Sequence, residues 1–136
     1  MDLGLTGKTA IVCASSHGLG RACATSLASA GCTVVLNGRD AAALDAAAVA
    51  LRDSGARVET VAGDIADDGV QRALVDAAGG APDILVNNNA GPPLKDFRQL
   101  DAAAIHAGVD ANMVTPIRLV QKVIDGMIER RFGRIL

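Results

Sequence analysis

The sequence predicts an α/β fold in which helices cover both faces of a parallel sheet. Short apolar runs rich in β-branched residues alternate along the chain with longer stretches of helical periodicity. The changes between the two patterns fall at glycines or clusters of turn residues. A helical crossover between consecutive strands makes them parallel, and its right-handed sense places helices on both faces. The pattern is therefore typical of a doubly wound, Rossmann-type domain.

The first two strand–helix units have the clearest signals. The run 9–13 is apolar, and after it the apolar residues recur at three- and four-residue steps until Gly31, where a helix is expected to end. A second apolar run, 33–36, is followed by Asp40, whose carboxylate is a helix N-cap. The alanine-rich helix that follows is expected to end at Gly55.

Two further units and the start of a fifth strand follow. Residues 57–61 alternate like a strand, a third helix is predicted over 70–77, and 83–87 form a fourth apolar strand. From 101 to 131 the pattern is helical again, and Pro116 is expected to bend this helix. The apolar stripe of this long helix consists of Ile105, Val109, Met113, Ile117, Val120, Ile124 and Ile128.

The last four residues, 133–136, are typical of the opening of a strand. A parallel strand is normally buried on both faces, so an end within it leaves an apolar edge without its neighbours. A chain of 136 residues is long enough for one buried core. We therefore expect residues 1–136 to form a single Rossmann-type domain that is C-terminally incomplete, truncated after the start of the fifth strand.

Composition and charge exclude several classes of protein. Thirteen Lys and Arg against fifteen Asp and Glu give a net charge of −2, so no broad basic surface is available for nucleic acid. Two Phe and no Trp or Tyr cannot build base-stacking platforms. Three scattered cysteines argue against a metal site. With no membrane-length apolar stretch and no secretory signal pattern, we expect a cytoplasmic protein without membrane contact.

The turn after the first strand, Ser15-Ser16-His17-Gly18-Leu19-Gly20, carries the strongest functional signal. Glycine at 18 and 20 lets the backbone approach a ligand closely, and the unpaired N–H groups of a helix N-terminus favour a pyrophosphate. A lone Gly-x-Gly is weak evidence, and simple turn formation is the alternative. Its place between the first strand and the first helix of a repeated βα series favours dinucleotide binding.

The segment 13–20 resembles the Thr-Gly-x-x-x-Gly-x-Gly fingerprint of the short-chain dehydrogenase/reductase family. The chain looks like the N-terminal, cofactor-binding half of such a protein, similar to 3-oxoacyl-ACP reductases. Cys13 replaces the Thr and Ala14 replaces the first Gly. The extra methyl of Ala14 is expected to weaken coenzyme binding or shift the turn slightly. The resemblance implies coenzyme binding by Ala14, Ser16, His17, Gly18, Leu19 and Gly20.

The resemblance continues through the rest of the chain. Asp64 resembles the family's strand-end Asp, which accepts from the adenine amino group, and Asn112 resembles a catalytic Asn that holds a water in a proton relay toward the active-site Lys. The run 87–91 resembles the Asn-Asn-Ala-Gly motif in two possible registers, with Asn88 paired either with Asn87 or with Asn89. The resemblance thus adds five coenzyme-binding residues: Asp64, Ile65, Asn87, Asn88 and Ala90.

The end of the second strand bears on the identity of the coenzyme. An acidic residue there would accept from the ribose 2′-OH of NAD, whereas this chain has Asn37-Gly38-Arg39. A guanidinium suits a bidentate contact with a 2′-phosphate, so Arg39 favours NADP(H) over NAD(H). The alternative is that Arg39 is a solvated residue at a helix start, beside Asp40 as helix cap.

The resemblance implies an NADP(H)-dependent oxidoreductase acting on a small carbonyl or alcohol substrate, with a ketone or a 3-oxoacyl thioester as the carbonyl. In the family a Tyr-x-x-x-Lys motif supplies the proton. This chain has no Tyr, so the 136 residues alone are expected to be inactive. A non-catalytic dinucleotide-binding or scaffolding module is the alternative. The helix 101–131 is expected to mediate association into a homo-oligomer, as it does in the family.

Overall fold

A computed structural model describes residues 2–91 and 94–136, and strands alternate with helices in it. Within these residues, no helix combines the length and apolarity that crossing a membrane requires. The strands are β1 (Thr9–Val12), β2 (Thr33–Gly38), β3 (Val58–Ala62), β4 (Ile84–Val86) and β5 (Arg134–Ile135). The α-helices are α1 (Gly18–Ser29), α2 (Ala41–Asp53), α3 (Asp68–Ala77), α4 (Ala102–Val109) and α5 (Thr115–Glu129), and Phe97–Gln99 form a 3₁₀ turn.

The five strands form one parallel sheet in the order β3-β2-β1-β4-β5. The central strand β1 pairs with β2 on one side and with β4 on the other, so Ile11 lies opposite both Val35 and Leu85. The direction of winding reverses between β1 and β4, and ligands of doubly wound sheets bind at such a switch point, outside the carboxyl ends of the strands. The predicted doubly wound, Rossmann-type fold is confirmed.

Two apolar layers cover the sheet, because successive side chains of a strand point to opposite faces. Ala10 and Val12 of β1 belong to the layer packed against α1 and α2. Ile11 and the following Cys13 belong to the layer packed against α3 and α5. Burial on both faces explains why the strands read as continuous apolar runs in the sequence.

Three of the helices begin at an aspartate side chain. Asp40 accepts from the Ala43 amide at 3.0 Å and caps α2, as predicted. Asp67 and Asp101 cap α3 and α4 in the same way. The first turn of α1 differs, since within the described residues no side chain caps it at His17. Its N–H groups therefore have no side-chain acceptor.

Strand β2 extends to Gly38, two residues beyond the predicted end at Leu36. Asn37 and Gly38 pair with the last residues of β3, Val61 and Ala62. The apolar run stops at Asn37, but backbone pairing depends on the neighbouring strand and continues past a polar side chain. This extension brings Asn37 to the carboxyl edge of the sheet.

The segment 101–131 is not the single helix that its periodicity predicted. A π-helical segment (Asp110–Val114) separates α4 from α5, and Pro116, which has no N–H to donate to the preceding turn, lies in the first turn of α5. The widened turn changes which face of the following helix meets the sheet. The buried residues of α5 are Thr115, Leu119, Val123 and Met127. The exposed members of the predicted stripe are Ile105, Val109, Met113, Ile117 and Ile128.

Candidate functional site

A cleft of about 430 Å³, the main cleft, lies at the carboxyl ends of β1, β2, β3 and β4. It occupies the switch point of the sheet and is large enough for a small-molecule ligand. Ten of the twelve predicted coenzyme-binding residues line it: Ala14, Ser16, His17, Gly18, Leu19, Arg39, Asp64, Ile65, Asn88 and Ala90. Of the other two, Gly20 packs against the loop that forms the wall, and Asn87 lines a neighbouring cavity.

Two glycines shape the loop between β1 and α1. Gly18 has φ of +60°, in the left-handed region that glycine enters readily. Gly20 lies against the loop, where a β-carbon would come within 2.9 Å of the Ala14 carbonyl carbon and 3.0 Å of the Asn88 amide nitrogen. Only glycine fits at this contact, and it brings the uncapped N-terminus of α1 to the wall of the main cleft.

Ala14 adopts a backbone conformation that L residues rarely show. Its φ is +45°, which explains why the fingerprint resembled by this segment has glycine at this position. Its carbonyl accepts from the Asn88 side-chain amide at 3.3 Å. The turn thus retains the left-handed conformation, and the methyl group of Ala14 is accommodated as local backbone strain.

Asn37 is a residue of the site that the sequence analysis did not single out. Its side chain is 1% exposed, and Nδ2 donates to the carbonyls of Val61 and Gly63 at 3.1 Å each. Its Oδ1 accepts from the Ala14 amide at 3.3 Å. The available signal was a polar residue directly after an apolar strand, which predicts a buried and hydrogen-bonded side chain only once the strand is known to continue. The other lining residues outside the twelve predicted are Gly38, Asp40, Gly63 and Asn89, and Asn89 belongs to the predicted motif in one of its two registers.

Side chains of positive charge, negative charge and no charge lie along the rim of the main cleft. Arg39 follows β2, is exposed and forms no ion pair within the described residues. Asp64 follows β3 and accepts from the Ala66 amide at 2.9 Å, which orients its carboxylate. Ser16 Oγ and His17 Nδ1 lie 3.0 Å apart and form a hydrogen bond. The cleft can therefore offer a cation, an anion and backbone N–H groups to one ligand.

A second cavity of about 270 Å³, the side cavity, adjoins the main cleft and shares Ile65, Asn88 and Asn89 with it. Asn87 and Asn112 both line the side cavity. Asn112 lies in the π-helical segment, is exposed, and donates from Nδ2 to the Gly108 carbonyl at 3.0 Å. The hydrogen-bond partner of this polar side chain is thus a backbone carbonyl one turn earlier in the helix.

The consecutive asparagines after β4 have separate contacts. Asn88 Nδ2 bonds the Ala14 carbonyl across the sheet edge. Asn89 Nδ2 bonds the Ala111 carbonyl at 3.0 Å, and its Oδ1 accepts from the Ala90 amide at 2.8 Å. Asn88 therefore ties β4 to the β1–α1 loop, and Asn89 ties it to the π-helical segment. Asn88, the residue shared by both possible registers of the motif, is the one in contact with the loop.

Neither thiol chemistry nor a metal centre is supported at this site. Burial raises the pKa of the Cys13 thiol to about 12, an effect larger than the opposing one of its hydrogen bond with the Asn88 backbone. Cys13 is 1% exposed and packs as a small apolar residue. Among residues 2–91 and 94–136, no three His, Cys, Asp or Glu side chains come together in a way that could hold a metal ion.

Comparisons with known proteins agree with this geometry. The family model described as short chain dehydrogenase matches residues 8–136. The chain is 32% identical to a 2-dehydro-3-deoxy-D-gluconate 5-dehydrogenase from Formosa agariphila, over 96% of this chain and 51% of that protein. It is 37% identical to an L-xylulose reductase from Mesocricetus auratus, again over 96% of this chain and 51% of that protein.

Solved structures give the same result. The crystal structure of L-sorbose reductase from Gluconobacter frateurii, complexed with NADPH and L-sorbose, superposes with a TM-score of 0.91 at 32% identity. The match covers 99% of this chain and 53% of that one, so the chain spans about half the length of the relatives it matches. The matched residues include both cavities and the whole sheet. The chain belongs to the short chain dehydrogenase family.

Proposed function

We propose that the protein is an NADP(H)-dependent oxidoreductase that interconverts a ketone and an alcohol on a sugar or sugar acid. The observation that carries the proposal is the convergence of a helix N-terminus, an exposed arginine and an oriented carboxylate in one cleft at the switch point of the sheet. This set of groups matches the chemistry of an adenine dinucleotide phosphate. The cleft would accept its diphosphate, its 2′-phosphate and its adenine amino group.

Each part of the coenzyme has a proposed partner among the residues of the main cleft. The N–H groups of His17 to Gly20 would bind the diphosphate, with Ala14 and Ser16 completing the loop. Arg39 would contact the 2′-phosphate, and Asp64 with Ile65 would hold the adenine. The strand-end residues Asn87, Asn88 and Ala90 would line the path toward the side cavity.

The reacting end of the coenzyme would lie toward the side cavity. When bound, the reduced coenzyme supplies a hydride to a carbonyl carbon. Asn112, on the π-helical segment that borders the cavity, would hold a water in the path of the proton. The 136 residues contain no Tyr, so they provide the coenzyme site and no tyrosine acid.

The relatives support the proposed substrate class. Their names specify a deoxygluconate, L-xylulose and L-sorbose, all of which are polyhydroxylated. We therefore favour a sugar or sugar-acid ketone, and the 3-oxoacyl thioester suggested by the sequence remains a second prediction.

We further propose that the exposed apolar residues of 101–131 mediate homo-oligomerisation, since Ile105, Val109, Met113 and Ile117 are each about half exposed.

The test measures coenzyme binding and turnover separately with the intact protein. Calorimetric titration with NADPH and with NADH should show binding of both and a preference for NADPH. Oxidation of NADPH should then be followed in the presence of L-sorbose, L-xylulose and a 3-oxoacyl thioester. Turnover with a sugar ketone supports the proposal. NADPH binding without turnover of any carbonyl would favour a non-catalytic module, and binding of neither coenzyme would overturn the reading of the cleft.

A further inference from the structure

We infer that Asn37 is a positioning residue that holds the β1–α1 loop in the left-handed turn at Ala14, and so shapes the coenzyme site. The inference rests on the proposed binding of NADPH at the main cleft. Asn37 and Ala14 are 23 residues apart in the sequence and meet only because β1 and β2 pair.

The loop has a conformational problem that glycine would not have. Ala14 carries a β-carbon at φ of +45°, and such a residue keeps this conformation only when its surroundings hold it there. Without that support, the backbone of the loop would relax toward the conformations that L residues prefer. Gly20 and the N-terminus of α1 pack directly on the Ala14 carbonyl, so relaxation at Ala14 would move the diphosphate site.

Asn37 binds the backbone on both sides of the Ala14 α-carbon. Its Oδ1 accepts from the Ala14 amide at 3.3 Å, and its backbone carbonyl accepts from the Ser15 amide at 2.7 Å. The Asn37 amide in turn donates to Ser15 Oγ at 3.1 Å. The buried Ser15 hydroxyl donates to the Val12 carbonyl at 2.7 Å. The turn is thus bonded to β2 and to the end of its own strand.

The other half of the Asn37 side chain is held by β3. Nδ2 donates to the carbonyls of Val61 and Gly63 at 3.1 Å, so the carboxamide is fixed in one orientation with its oxygen toward Ala14. The side chain is 1% exposed, so water cannot replace these bonds without local opening. A carboxamide alone among short side chains offers both the acceptor and the two donors that this position uses.

This arrangement distinguishes a positioning role from a purely structural one, because it couples Asn37 to the identity of residue 14. If Asn37 compensates for the β-carbon of Ala14, then Ala14→Gly should remove much of the need for it. Loss of the bonds to β3, by contrast, would be equally harmful whichever residue stands at 14. A double-mutant cycle therefore separates the two roles.

The cycle compares four forms of the intact protein: the unsubstituted parent, Asn37→Ala, Ala14→Gly and the double variant. We expect Asn37→Ala to raise the NADPH dissociation constant by about tenfold or more with Ala14 present, and by less than about threefold in the Ala14→Gly background. Equal fold-changes in the two backgrounds would overturn the inference. Asn37→Ser serves the same cycle if Asn37→Ala does not fold.

Val58→Ala, combined with Ala14→Gly, is the matched control. Val58 is buried at the opposite end of β3, away from the loop. Its substitution weakens the same strand pair, so the effect on NADPH binding should be the same with Ala14 and with Gly at residue 14. The thermal midpoint of each protein is measured without coenzyme as a second readout. If the parent binds no NADPH, the proposed function fails. The thermal midpoints still test the coupling of Asn37 to Ala14. If the changes in midpoint caused by the two substitutions simply add in the double variant, the inference is overturned.

Discussion

The side-chain amide of Asn88 donates to the carbonyl of Ala14 at 3.3 Å and joins the carboxyl end of β4 to the β1–α1 loop. These two groups also border the space around Gly20. A β-carbon at Gly20 would lie 2.9 Å from the Ala14 carbonyl carbon and 3.0 Å from the Asn88 side-chain nitrogen. The switch point of the sheet is therefore closed by a contact between residues 14–20 and the end of β4, which are distant in sequence. Its tightness depends on the absence of a side chain at residue 20.

Gly20→Ala is expected to disrupt this contact. The added methyl must displace either the Ala14 carbonyl or α1, so the free energy of unfolding should fall by about 1–3 kcal/mol and NADPH binding should be lost or strongly weakened. Chemical denaturation and calorimetric titration measure the two effects. Gly108→Ala is the control for stability: its β-carbon would meet no neighbour, and it should be neutral or stabilising by up to about 1 kcal/mol. Similar behaviour of the two variants would contradict the packing argument.

Arg39→Ala is expected to weaken binding of NADPH selectively. A charge-assisted contact with the 2′-phosphate contributes about 1.5–3 kcal/mol, so the NADPH dissociation constant should rise by at least about tenfold while that for NADH changes little. Arg57→Ala, which removes an exposed arginine before the amino end of β3, should leave both constants unchanged. An equal loss for NADPH and NADH would show that Arg39 does not read the 2′-phosphate.

Asn112→Ala is expected to affect turnover rather than coenzyme affinity. Its amide lines the side cavity and bonds the Gly108 carbonyl, and a group that supports proton transfer contributes about a hundredfold or more to the rate. In the intact protein kcat should fall accordingly, with the NADPH dissociation constant within about twofold of the parent value. His106→Ala, on the exposed surface of α4, is the control. A variant with normal kcat would remove Asn112 from the proposed proton path.

The three cysteines should differ sharply in reactivity. Cys13 is buried with its pKa raised to about 12, and burial also raises the pKa of Cys32, whereas Cys23 is exposed on α1. Because the thiolate is the reactive form, iodoacetamide at about pH 8 should modify Cys23 and leave Cys13 and Cys32 intact in the folded protein. Mass spectrometry of the digested protein identifies the sites. All three should react after denaturation, and modification of native Cys13 would show that the β1 end is open.

Asp68 should make stability depend on pH. The Lys122 ammonium lies 2.7 Å from Asp68 Oδ1. Together with Arg72, it holds the pKa of the Asp68 carboxyl below its usual value. Arg118 completes a cluster that joins α3 to α5. A lowered pKa in the folded state stabilises the protein above the usual carboxyl pKa, and this contribution is lost as the pH falls through the folded-state value.

The measurement compares thermal midpoints of the parent and Asp68→Asn from about pH 7 to about pH 3. The parent should be the more stable at neutral pH, and the difference should shrink as the pH falls below the usual carboxyl range. The same series on Asp45→Asn, which removes an exposed carboxylate of α2 outside the cluster, controls for net charge. A difference that persists unchanged at the acid end would contradict the role of the charged form.

Much of the fold could be predicted from local pattern. Short apolar runs, helical periodicity and the glycines between them were enough for the alternation of strands and helices, and the handedness of the crossovers then required a doubly wound parallel sheet. Most of the predicted coenzyme residues line the main cleft because their positions just after strand ends place them at one edge of such a sheet. Asp40 was also predictable as an N-cap, since capping involves residues three apart.

Contacts between distant segments were beyond that reasoning. The π-helical segment at Asp110–Val114 shifts the buried face of α5 to residues outside the predicted apolar stripe, and no local pattern signals the extra residue in the turn. Asn37 read as the end of a strand, but pairing with β3 extends β2 and buries this side chain against Ala14. Periodicity reports which residues avoid water within one element, whereas the packing of several elements decides which polar atoms meet and which backbone strain is held in place.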